Sequence, residues 1–127
     1  DPKQGYGVTA NAIGQLGIEI AGFTDTEMFD VTSLPDKDGV RHFPDSLYPM
    51  TNLAGDQKLM AQFMQKCIDA GIQAFDFSDI MRRAHTDQDM LDGYKALNTK
   101  DIGYIAVGAV IPSDFEKEWL SGLDLFG

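Results

Sequence analysis

A single cysteine among 127 residues removes two kinds of site at once. Cys67 cannot close a disulfide within the chain, and zinc sites built on cysteine need several thiolates. Its neighbours Phe63, Met64 and Ile68 make it read as a small buried apolar residue. Basic charge is also scarce, with ten Lys and Arg against twenty Asp and Glu and a net charge of −10. Nucleic-acid binding draws on a basic face that displaces counterions from phosphates. The largest basic cluster here is Arg82-Arg83, so no nucleic-acid partner is expected, and anionic membrane surfaces are disfavoured on the same ground. No run of eighteen apolar residues occurs, so no transmembrane segment is expected. The chain begins at Asp1 without a methionine, which reads as a processed or trimmed terminus and leans towards an organelle lumen or periplasm over the cytoplasm.

Catalytic motifs are missing too. There is no GxSxG, no Walker A and no GxGxxG after a strand pattern. The two histidines, His42 and His85, have no partner at a ligand spacing. No catalytic residue, cofactor or metal is therefore assigned.

What remains is an ordinary globular composition, 43% hydrophobic and 10% aromatic. One core can form in a chain of this length, so residues 1–127 read as a single domain. In VTANAIGQLGIEIAGF (8–23), Ile13, Leu16, Ile20 and Phe23 recur at helical spacing, and Thr9 or Asn11 is placed to cap. Gly14, Gly17 and Gly22 each cost this helix about 1 kcal/mol relative to alanine. Gly14 and Gly17 could let another backbone come close.

GDQKLMAQFMQKCIDAG (55–71) carries a full set of helix signals. Asp56 caps, the stripe runs through Leu59, Met60, Phe63, Met64, Cys67 and Ile68, and Gly71 followed by Ile72 stops it. Three shorter helices are predicted. FSDIMRRA (77–84) has Asp76 or Ser78 as cap. TDQDMLDGYKALN (86–98) has a capping box from Thr86 and Asp89, and PSDFEKEWL (112–120) has one from Ser113 and Glu116. KDIGYIAVGAVIP (100–112) fits strand and helix alike. Counting elements, the expected fold is mainly α: a small helical bundle with a long ordered Pro-rich loop. The alternative is α+β, with a short strand pair near 72–76 and 104–111.

That loop, a strap over 24–50, holds Pro35, Pro44 and Pro49 between apolar residues too numerous for a free tether. Its Asp36-Lys37-Asp38-Gly39 resembles the middle of an EF-hand loop. Leu34 then stands where the first carboxylate belongs and Asp45 where a bidentate Glu is usual, so a plain Asp-Gly turn is expected. Past Gly122 the tail 122–127 brings Leu123, Leu125 and Phe126, which either fold back or insert into a neighbour.

The functional expectation is a non-catalytic interaction or structural subunit with a protein partner. Its candidate contact residues are Phe43, Leu47, Tyr48, Leu123, Leu125 and Phe126. An extrinsic subunit docked on a membrane-associated assembly, photosynthetic, respiratory or secretory, would suit an acidic helical domain. Two alternatives stand beside it. One is a small-molecule or cation-binding module with a pocket lined by Met60, Met64, Met81 and Met90. The other is a small hydrolase-like enzyme using His42 with Asp36, Asp38 or Asp45.

Overall fold

A computed structural model describes residues 1–24, 34–42 and 50–126 of the chain. Its centre is a two-stranded antiparallel sheet of β4 (Ala74–Ser78) and β5 (Tyr104–Ala109). One face is covered by α1 (Tyr6–Phe23) and the other by α2 (Gln57–Ala70). The expected helical bundle is thus corrected to α+β, and the strand pair lies close to where the alternative placed it. Alternation in AFDFS decides the matter: Phe75 and Phe77 point to the α1 side, while Ala74, Asp76 and Ser78 share the opposite face. On the α1 side, Ala12 packs with Phe77 and Ile105. On the α2 side, Met60 and Met64 pack with Ile102 and Tyr104.

Gly108 lies across from Phe75, directly beneath α1. A Cβ there would come within 3.2 Å of Ile20 Cδ1 and 3.5 Å of Leu16 Cδ1, so its absence lets the helix settle onto the sheet. A register shift between Phe77 and Ser78 brings Ser78 opposite Tyr104. It inserts an extra residue on β5, as a bulge does.

The α2 helix follows its sequence signals closely. Asp56 accepts from the Leu59 amide at 2.9 Å, and Gly71 adopts a left-handed φ of 67°, with the Ile72 amide donating to the Cys67 carbonyl. In α1 the caps fall elsewhere than expected. The helix starts at Tyr6 behind Gly5, and Thr9 lies inside it, buried, its hydroxyl donating back to the Gly5 carbonyl at 3.1 Å. The buried stripe is Thr9, Ala12 and Leu16, so Phe23 ends up 77% exposed.

The predicted helix 77–84 is shortened to α3 (Asp79–Arg83), because the strand claims Phe77 and Ser78; Ser78 then caps it through the Met81 amide. The capping box of Thr86 and Asp89 opens α4 (Asp87–Lys95) as expected. At 112–120 only α5 (Glu116–Trp119) forms, and Ser113 does not cap it. Trp119 stacks on Phe115 within that segment at 4.9 Å and meets Phe63 of α2 edge-on at 6.2 Å, which holds the segment against α2.

Within the strap, β1 (Leu34–Pro35) and β2 (Arg41–His42) form a short hairpin around the Asp-Gly turn. Phe43, Asp45, Leu47 and Tyr48 lie outside the described residues. The tail folds back: β6 (Asp124–Leu125) pairs with β3 (Leu53–Ala54), and the Phe126 amide donates to the Asn52 carbonyl. No helix among the described residues is long and apolar enough to cross a membrane.

Candidate functional site

The densest polar arrangement gathers where β4, α3 and α4 meet. The Tyr94 hydroxyl on α4 donates to Asp76 Oδ2 at 2.7 Å, and Ser78 Oγ lies 2.8 Å from the same hydroxyl. Ser78 Oγ also accepts the Met81 amide at 3.3 Å. A phenol has one hydrogen, and Tyr94 gives it to Asp76, so the Ser78 hydrogen must point at Tyr94. The result is a one-way chain from the Met81 amide through Ser78 and Tyr94, ending on the Asp76 carboxylate.

Burial dominates the electrostatics here. It raises the Asp76 carboxyl above its ordinary range, with the Tyr94 hydrogen bond opposing. Glu19 on α1 is raised by burial first and by the negative charge of Asp76 second. The Tyr104 phenol, which donates to the Thr99 carbonyl at 3.1 Å, is pushed up to about 12 by burial, with Asp76 adding to it. Tyr94 is raised further, again by burial first. Ser78 is fully buried, so its hydroxyl acts as a structural link and presents nothing to a substrate.

Beside this cluster, α3 and α4 frame an open groove of about 310 Å³, with Ile80, Gly93 and Leu97 along it and the Arg83–Asp79 ion pair, 2.9 Å, at its rim. Gly93 brings the two helices together, since a Cβ there would lie 2.6 Å from Ile80 Cγ2.

The residues expected from sequence are dispersed. His42 Nε2 lies 3.0 Å from Asp36 Oδ2, so the structure does bring these two together. Both are exposed, and the Asp36 carboxylate also accepts the Val40 and Asp38 amides of its turn. The His42 bond and these amides hold Asp36 below the usual carboxylate range. Asp38 is exposed on the turn. Met60 and Met64 belong to the α2-side core, whereas Met81 packs on the α1-side cluster, so these three methionines divide between two packing regions. Asp76 and Asp79, three apart in sequence, take separate partners in Tyr94 and Arg83. Leu123 lies over Gly55, Phe126 is half-buried, and Leu125 is 78% exposed. Among the described residues, no group of three His, Cys, Asp or Glu side chains is placed to hold a metal ion.

Sequence reasoning missed the pairing of Asp76 with Tyr94. The available signal was an acidic residue at the centre of an alternating apolar strand, where a carboxylate needs a donor from elsewhere in the fold.

A family model described as protein of unknown function (DUF2000) matches residues 1–125. The chain belongs to this family. A solved structure of a protein of unknown function from Agrobacterium tumefaciens str. C58 superposes with a TM-score of 0.81 at 16% identity, over 94% of this chain and 87% of that one. At that identity the likeness speaks for the α+β fold alone. No curated protein matches the chain.

Proposed function

We propose that this DUF2000 chain works by contact, as a non-catalytic interaction or structural subunit with a protein partner. The observation that supports it most is the outer surface of α1. In eighteen residues that helix carries one charged side chain, Glu19, although the chain as a whole stands at −10. Ile18 is 70% exposed on it, and at the end of the helix Phe23 is 77% exposed beside Phe75 of the sheet.

Its glycines fit the same reading. At Gly7, Gly14, Gly17 and Gly22 an added Cβ would meet nothing within 4 Å. Interior helix glycines cost about 1 kcal/mol each against alanine, and no close approach within the described residues calls for them. Surface placed so close to a partner's backbone would account for that cost. Leu125 on the tail is a second exposed apolar position, and a membrane-associated assembly is one setting for such a subunit. Large apolar side chains left in water at a neutral strip are what a docking surface requires.

The test compares the wild-type chain with Ile18→Glu and with Gly14→Ala/Gly17→Ala, using co-purification from the native source and thermal unfolding. Ile18→Glu should fold normally and lose the captured partner. The glycine double variant should unfold at higher temperature yet bind more weakly. Equal capture by all three chains would defeat the proposal.

A further inference from the structure

Asp76 is half-buried in mid-strand, and among the described residues a single hydroxyl, that of Tyr94, donates to its carboxylate. Burying a carboxylate is costly unless a cation or several donors compensate it. The ion pairs among the described residues are Arg83–Asp79 and His42–Asp36, and neither reaches Asp76. The groups that face it from the surrounding elements only sharpen the problem. Glu19, on α1 at the other face of the sheet, is a further acid and no counter-ion. Tyr104 on β5 spends its hydrogen on the Thr99 carbonyl, and Ser78 on β4 spends its own on Tyr94. Val107 stands opposite on β5, and α2 turns the apolar Met60 and Met64 to this side of the sheet.

Tyr94 is at the same time a main attachment of α4. That helix has no fully buried residue. Its grip on the rest of the fold rests on half-buried Tyr94, which packs on the Met60–Tyr104 cluster, and on the contact of Gly93 with Ile80. The charge state of Asp76 and the seating of α4 therefore meet at one hydrogen bond.

We propose that Asp76 and Tyr94 form a proton-controlled latch: with a proton on Asp76, α4 stays closed on β4, and ionisation of Asp76 favours release of α4 so that water reaches the carboxylate. A neutral carboxylic acid still accepts from Tyr94 through its carbonyl oxygen, so the closed state keeps that bond. The Tyr94 bond by itself favours the charged form, but burial outweighs it, and the direction follows from that net effect through linkage. A carboxyl raised in the closed state binds its proton more tightly there than in the open state, so closure is firmest below the ordinary carboxylate value and weakens as pH climbs through the raised one. Glu19 is raised as well, by burial first and by the charge of Asp76 second.

Hydrogen exchange resolved to residues 87–95, corrected for intrinsic rates, tests this between about pH 5 and about pH 8, the span just above ordinary carboxylate values. The wild-type chain should lose protection in α4 progressively across that range, while α2 stays level. Asp76→Asn keeps an acceptor for Tyr94 without a charge, and should hold α4 protected at every pH. Tyr94→Phe should leave α4 weakly protected with a flattened pH response. A wild-type profile without slope in α4, or the same slope in Asp76→Asn, would overturn the latch.

Discussion

Tyr94 and Asp76, eighteen positions apart in sequence, meet across a 2.7 Å hydrogen bond that ties the last turn of α4 to the middle of β4. Removing the phenolic oxygen leaves both Asp76 and Ser78 short of a partner. Tyr94→Phe should therefore destabilise the fold by about 1–3 kcal/mol, the range for buried polar groups left unsatisfied. Urea unfolding at constant slope measures it.

The contact of Gly93 with Ile80 sets a second expectation. An alanine at 93 places its Cβ against Ile80 Cγ2, and overpacking of that kind typically costs about 1–3 kcal/mol. Ile80→Ala removes the obstructing methyl. The double variant Gly93→Ala/Ile80→Ala should then be more stable than the sum of the two single losses allows. Thermal unfolding of all four chains closes the cycle.

Glycine substitutions should also take opposite signs at two helices. Gly71 stops α2 with a positive φ of 67°, and alanine in that conformation costs about 1–2 kcal/mol. Gly14 is an exposed interior position with open space around it, where alanine should gain about 1 kcal/mol. The melting temperature should fall with Gly71→Ala and rise with Gly14→Ala.

Cys67 supplies an alkaline prediction. Burial pushes its thiol up to about 11. In the unfolded chain a thiol ionises near pH 8.5. Between those values the folded state holds a proton that the unfolded state has lost, so stability falls as pH rises through that window. Cys67→Ala should be less stable overall and should lack this part of the alkaline slope. Thiol-reactive probes should label the wild-type chain only as fast as it opens.

How much of this could be read beforehand depends on how local each determinant is. Asp56, Gly71, Thr86 and Asp89 act on backbone groups within a few residues, and their helices form where the sequence put them. His42 and Asp36 likewise face each other across one tight turn. Phe77 and Ser78 obey two patterns at once, and their place in a strand is fixed by β5, some thirty residues downstream. Pairing energy of that range leaves no periodic trace within either segment, which is why the helical count misled. The stripe on α1 was displaced for a related reason. Gly108 opens a seat for Leu16 and Ile20 on the sheet, while Phe23, at the helix end, meets Phe75 and stays largely exposed. The cluster around Asp76 was invisible because Asp76, Tyr94 and Glu19 come from three elements whose meeting only the packed structure supplies.

The joining of β3 to β6 makes the last few residues a clasp on the middle of the chain. Such a clasp closes a long loop, and the entropy lost in closing it must be met before its few bonds form. It is therefore expected late in folding and early in fraying. Opening this clasp would strip the cover of Leu123 from Gly55 and Leu59 while leaving the central sheet whole.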